Sequence, residues 1–204
     1  MTFLKEGYQV VNNVISEQLL QNLKIEFELI KNTLFFINNE KNKYAFGDIY
    51  SPKSFSIYAA PCFEALSLNL IDLMQDITKV KLYPAYSYAR IYYNGATLNS
   101  HKDRPSCEYS TTICISSTHL WNFHIKDRDG REKIIKLNPG DMCVYSGCEL
   151  EHWREPYTGD QQMQCFLHYV NSEGPYSEFK YDKRPMMGFR SNKSNNKFKS
   201  KISY

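Results

Sequence analysis

The 204-residue sequence has no apolar run near the roughly 20 residues a membrane-spanning helix needs, so no such span is expected. Nor does it open with a basic segment followed by an apolar stretch, so a secretory leader is not expected and a cytoplasmic protein is. None of the six cysteines (Cys62, Cys107, Cys114, Cys143, Cys148 and Cys165) pair as C-x-x-C, and several stand inside apolar runs. They are expected as buried free thiols of a reducing compartment rather than as disulfides or zinc ligands. No internal repeat is present, and no Ser/His/Asp or Cys/His pattern points to a protein nucleophile. Histidine is scarce, with five residues, so few combinations could build a metal site.

What is present fits one globular domain. Hydrophobic residues make up 42% and charged residues 23%, which argues for a packed core rather than disorder. The net charge of +3 is unevenly placed. Residues 182–204 hold seven Lys/Arg against one Asp, so they carry +6 and leave −3 on residues 1–181. A single domain over 1–181 with a basic extension over 182–204 is the expected organisation. The extension ends in an Asn/Ser/Lys-rich run and is read as solvated. Phe189, Phe198 and Tyr204 stand among its basic residues, so any nucleic-acid or acidic partner is expected there and not on the body.

The pattern along the chain changes once. Residues 8–15 read as a strand, and Ser16 as the cap of a helix with apolar positions Leu19, Leu20, Leu23, Ile25, Phe27 and Ile30. Residues 36–60 are mixed, broken by Gly47, Asp48 and Pro52. A second helix is expected over 61–79, with Pro61 in its first turn. From Leu82 onward, short β-rich runs at 86–93, 109–116, 121–125, 133–137, 142–145 and 163–169 alternate with turn residues. Helices first and strands after predict an α+β layout: a jelly roll with N-terminal helices packed on one sheet.

His101-Lys102-Asp103 carries the chemistry. Two imidazoles and one carboxylate on one face of a metal suit ferrous iron, and leave the other face open for cosubstrate and dioxygen. Residues i and i+2 can both point inward where a strand gives way to a loop. The third ligand must come from another strand, and His152, after a strand and a glycine-containing turn, is placed for it. His119, His124 and His168 compete for the same role.

Segments 88–103 (YARIYYNGATLNSHKD) and 137–152 (LNPGDMCVYSGCELEH) resemble the two metal-binding blocks of the prolyl-4-hydroxylase-like branch of the 2-oxoglutarate/Fe(II) oxygenases, in the same order. The runs 101–110 (HKDRPSCEYS) and 152–157 (HWREPY) also resemble a subgroup found in marine phages and bacteria. The resemblance covers roughly residues 80–172. It implies a double-stranded β-helix with its core at about 82–172, and His101, Asp103 and His152 as metal ligands. It also implies Fe(II), 2-oxoglutarate and O2 as cofactors, with hydroxylation of a peptidyl, prolyl-like or other side-chain substrate and release of succinate and CO2. A protein, peptide or small molecule is the expected substrate. Two readings stand beside it: a cupin-like metalloenzyme that does not use 2-oxoglutarate, and a non-enzymatic jelly-roll binding module.

The sequence departs from the family at the cation for the distal carboxylate of 2-oxoglutarate. That residue usually lies about ten positions after the second histidine, yet Gln161, Gln162, Met163 and Gln164 include no basic residue. Three arginines are candidates. Arg154 shares the face of His152 on an extended chain, Arg90 lies on the strand leading to His101, and Arg104 follows Asp103. Tyr88 is a candidate partner of the cosubstrate. Trp121, Trp153 and Tyr145 are candidates for the substrate mouth.

Overall fold

The computed structural model describes residues 2–37 and 51–188. Among the described residues, ten strands form two antiparallel sheets. The larger has the order β1(Tyr8–Val11), β8(Met142–Ser146), β5(Tyr109–Ser117), β10(Gln161–Asn171), β3(Leu82–Tyr93), β2(Ser54–Tyr58). The smaller has the order β4(Leu98–His101), β9(His152–Arg154), β6(Phe123–Lys126), β7(Glu132–Ile135). The two sheets make a double-stranded β-helix, and the helices cover the outer face of the larger one.

The helices form where the sequence pattern places them, with local differences. α1(Thr2–Glu6) is an additional short helix that buries Phe3. α2(Glu17–Ile37) begins after Ser16, whose Oγ accepts the N–H of Leu19 at 3.3 Å, an N-cap bond. Leu23 and Phe27 turn into the core, while Ile25 is 56% exposed. At 100° per residue, position 25 lies on the far side from 23 and 27. The helix expected over 61–79 is two, α3(Pro61–Asn69) and α4(Ile71–Thr78), which meet at Leu70. The bonds Leu70 N–H to Leu66 O and Met74 N–H to Leu70 O bridge the join, so the apolar spacing runs on through it. Lys79 ends α4 in the left-handed region. Among the described residues no helix is long and apolar enough to cross a membrane.

Period-two alternation on β3, β5 and β10 separates two interiors. Ala89, Ile91, Ile113, Ile115, Met163, Cys165 and Leu167 face the helices, where they pack with Phe27, Phe55, Phe63 and Met74. The intervening residues face the smaller sheet and are unusually polar: Arg90, Ser110, Thr112, Gln162, Gln164 and His168 are all buried. An apolar cluster of Phe123, Ile125, Cys143, Tyr145 and Leu150 closes one end of this second interior. The described cysteines are all free, and four of them are buried.

The stretch expected to be solvated from residue 182 begins docked. Asp182 receives both Nη atoms of Arg104 at 2.8 Å and the hydroxyl of Tyr58 at 2.7 Å. Arg184 is 5% exposed and forks onto Glu64 at 2.6 and 3.2 Å. Residues 189–204, with the aromatic positions of the basic tail, lie outside the described residues. Replacing Arg184 with Met would strand the buried Glu64 carboxylate. The expected loss is about 3–5 kcal/mol of folding stability, measured by denaturant unfolding. An unchanged midpoint would mean the pair contributes nothing.

Candidate metal centre

The smaller sheet brings the two histidines together. β4 and β9 are antiparallel neighbours, and His101 lies opposite His152 in their register. Their rings stand 4.4 Å apart, centroid to centroid. Asp103 sits in the loop after β4, held by its N–H to Gly147 O at 2.9 Å. Its Oδ1 is 3.6 Å from Nε2 of His101 and 3.7 Å from Nε2 of His152.

Each ring is turned by its other nitrogen. Nδ1 of His101 donates to Asn99 O at 2.7 Å and Nδ1 of His152 to Leu150 O at 2.9 Å, both two residues back. The Nδ1 protons are thus committed to carbonyls, and Nε2 is the ligand atom on each ring. Such outer bonds commonly fix the tautomer of metal-ligating histidines. On Asp103, Oδ2 accepts the hydroxyl of Ser110 at 3.1 Å, which leaves Oδ1 toward the imidazoles.

The electrostatics agree with a ligand set. Burial opposes ionisation of Asp103, but the adjacent His101, with His152 and His168 nearby, overrides it and holds the carboxyl down to about 2. Burial pushes the His152 imidazole below its usual value. For His101, burial is outweighed by Asp103 and by the Asn99 carbonyl, so its value rises. Donor type, spacing and ionisation fit a divalent metal: all three ligand atoms lie within 4.8 Å of one another.

A cavity of about 350 Å³ opens over the triad. Tyr86, Tyr88, Arg90, Tyr145, Phe166 and His168 line it together with the three ligands. Tyr145 is buried, with its ring edge-on to His152 at 4.8 Å. Arg90 donates to the hydroxyl of Tyr88 at 3.0 Å and lies between the rings of Tyr88 and Tyr92. Arg104 also borders the cavity, but its guanidinium is engaged by Asp182 and stacked on Tyr86.

Arg154 follows His152 by two residues on β9 and points to the same interior. It is 2% exposed and sandwiched between Trp121 and Phe123, with centroids at 4.9 and 5.2 Å. Its Nη1 donates to Trp121 O at 2.8 Å, whereas Nε and Nη2 have no hydrogen-bond partner. Burial lowers its pKa, and no carboxylate stands among the main groups that oppose the shift. Arg154 is not among the cavity-lining residues; it stands behind Phe123 and Tyr145, which are.

Neither tryptophan lines the cavity. Trp121 is core, packed on Tyr92 and Tyr157 with its Nε1 bonded to Glu155 O at 2.7 Å. Trp153 lies between two inward residues of β9 and therefore points outward, where it stacks on His124 at 5.3 Å. His124 pairs with Glu132 on that outer face, so it is no ligand of the triad. His168 is inside, bonded to Ser110 through Nδ1 at 2.8 Å.

Three residues here have no site role assigned from the sequence: Ser110 and Gly147, which lie inside segments 101–110 and 137–152, and His168, which is weighed there only as a competing ligand. The polar alternation Ser110–Thr112–Cys114 on β5 was the available signal for the first. Gly147 is required by space: a Cβ there would overlap Cys107 O, Asp103 Oδ2 and Ser110 Oγ. Gly147→Ala is therefore expected to displace the Asp103 carboxylate and weaken Mn(II) binding about tenfold or more, as loss of outer-shell support does. A Mn(II) titration showing wild-type affinity would contradict this.

Fold and site together define a double-stranded β-helix with a two-histidine, one-carboxylate centre at one end of its interior. Solved structures of the same architecture include a Pseudomonas putida prolyl-4-hydroxylase, at 12% identity and TM-score 0.63 over 83% of this chain and 95% of that one. HygX from Streptomyces hygroscopicus, solved with nickel and 2-oxoglutarate bound, is similar at 12% identity and TM-score 0.63, covering 84% of this chain and 85% of that one. AviO1 from Streptomyces viridochromogenes Tue57 is similar at 16% identity and TM-score 0.67, covering 85% and 93%. No protein-family model and no curated protein matches the sequence. At these identities the likeness is one of fold.

Proposed function

We propose that this chain is an Fe(II)- and 2-oxoglutarate-dependent dioxygenase that hydroxylates a peptidyl, prolyl-like or other side-chain substrate, or a small molecule, with release of succinate and CO2. The observation that carries the reading is the convergence of His101, Asp103 and His152: both Nε2 atoms lie within 3.7 Å of Asp103 Oδ1, and all three residues line the cavity. The prolyl-4-hydroxylase and the 2-oxoglutarate-bound HygX among the structural neighbours support it.

In this reading the three ligands would hold the metal on one face and leave its other face to the cavity. Iron, when bound, would activate dioxygen, which is the oxidant, and 2-oxoglutarate, going to succinate and CO2, would supply two of the four electrons that dioxygen takes up. The protein supplies position. Asn99 O and Leu150 O keep the imidazoles in register, Ser110 holds the carboxylate, and the walls of Tyr86, Tyr145 and Phe166 exclude water. Arg154 would neutralise the distal carboxylate of 2-oxoglutarate, which would have to reach it past Phe123 and Tyr145, the rings that separate it from the cavity. Its two orphaned donors fit that role, because an unpaired buried charge costs several kcal/mol and seeks an anion. Arg90 and Tyr88 are the alternative pair, already on the cavity wall. With Trp121 and Trp153 placed elsewhere, Tyr145 is the candidate that remains on the cavity wall, and substrate contacts are assigned to it with Tyr86 and Phe166.

The test is stoichiometric. Purified protein given Fe(II), O2 and 2-oxoglutarate should form succinate, slowly without substrate and only when all three are present. Metal binding without any 2-oxoglutarate binding or consumption would favour the cupin-like reading instead.

A further inference from the structure

Asp103 is the one ligand that no strand holds. β4 ends at His101, and a short 3-10 turn, Pro105–Cys107, follows. The N–H of Asp103 is tied to Gly147 O, but the carboxylate still has to be turned so that one oxygen meets the imidazoles. Ser110 is the group that touches the other oxygen. Its Oγ lies 3.1 Å from Asp103 Oδ2, 3.1 Å from Cys107 O and 2.8 Å from His168 Nδ1.

A serine hydroxyl has one proton and two lone pairs. Asp103 Oδ2 and Cys107 O compete for that proton at equal distance, with the Tyr145 hydroxyl also in reach, and the ionised carboxylate is the strongest acceptor. The proton therefore goes to Asp103, and His168 Nδ1 must be a donor to Ser110. A bare Nδ1 would claim the same proton and leave a hydroxyl lone pair facing the carboxylate. His168 is suited to the role: it is 5% exposed and stacked on Tyr86 at 4.5 Å. Burial also holds its imidazolium down to about 4, so the ring is neutral, and the bond to Ser110 Oγ sets which nitrogen carries the proton.

We infer that His168 and Ser110 form a hydrogen-bond relay, His168 Nδ1–H to Ser110 Oγ–H to Asp103 Oδ2, that sets the metal-facing orientation of Asp103. Both are positioning residues: they act on the metal through the carboxylate. The inference rests on the proposed metal site, and its test separates the two.

Metal-stripped full-length protein is titrated with Mn(II), and its Co(II) visible spectrum is recorded. Ser110→Ala and His168→Leu are expected to bind Mn(II) about 10–100-fold more weakly and to shift the Co(II) bands. Ser110→Thr keeps the hydroxyl, and His168→Asn keeps a donor near the Nδ1 position; both are expected to retain most of the wild-type affinity and spectrum. A merely structural role would lower the apoprotein melting temperature without altering the Co(II) spectrum of the folded protein. If Ser110→Ala does not fold, the comparison of His168→Asn with His168→Leu decides alone. Wild-type affinity in the Ala and Leu variants overturns the relay, as does equal impairment of His168→Asn and His168→Leu. Failure of the wild-type protein itself to bind Mn(II) overturns the metal site and the relay with it.

Discussion

Asp103→Ala and His152→Ala are expected to abolish Fe(II)-dependent formation of succinate from 2-oxoglutarate and to weaken Mn(II) binding by more than about a hundredfold. The bound follows from comparison: losing an outer-shell partner commonly costs 10–100-fold, and these residues are the ligands themselves. Asp103 supplies the negative charge of the set, and its Oδ1 lies within 3.7 Å of both imidazoles. His152 is 2% exposed, so no other imidazole can swing into its place without unpacking Tyr145 and Phe123. His168 stands in a separate group with Asp103 and Cys107 and is not one of the residues grouped with His101. Succinate release and a Mn(II) titration on each variant check the prediction. Turnover surviving in either variant would remove the triad from the reaction.

Arg154 carries the second large effect, and it has two signs. Arg154→Met should raise the apparent KM for 2-oxoglutarate about tenfold or more, because a lost charge-assisted pair costs about 1.5–3 kcal/mol. Mn(II) affinity should change little. The same substitution should raise the melting temperature of the apoprotein. Without an anion, Arg154 is a buried cation with Nε and Nη2 unpartnered, so an apolar side chain of similar length removes a desolvation cost. In the wild type, 2-oxoglutarate should stabilise the Mn(II)-loaded fold in proportion to its binding; in Arg154→Met that added increment should shrink. A variant with wild-type KM would move the anchor to Arg90, tested by Arg90→Ala.

The parts of this molecule that could be read from sequence are those with local signals. The long inner strands β3, β5 and β10 announced themselves by β-rich runs between turns, and α2 by Ser16 and the spacing of Leu23 and Phe27. The H-x-D pair and His152 were legible because strand ends place i and i+2 on one side. The strands that hold those ligands were not legible: β4 and β9 are four and three residues long, too short for a periodic pattern. β2 was hidden in a segment whose neighbouring residues mix breakers and apolar positions.

Long-range polar contacts left no trace either. Arg184 meets Glu64 across 120 residues of chain, and Arg104 meets Asp182 across 78, so a stretch that looks solvated by composition begins as a docked strap. Aromatic content likewise says nothing about direction. Trp153 is turned outward because His152 and Arg154 on either side of it point inward, while Trp121 fills a core.

The most direct measurement is anomalous diffraction from crystals grown with Mn(II) and 2-oxoglutarate under nitrogen. The account predicts one metal peak bonded to His101 Nε2, Asp103 Oδ1 and His152 Nε2 at roughly 2.0–2.3 Å. It also predicts 2-oxoglutarate on the open face of that metal, with its distal carboxylate against Nε and Nη2 of Arg154. A metal peak on Asp103, Cys107 and His168 instead, or a metal at the triad with 2-oxoglutarate absent, would contradict it.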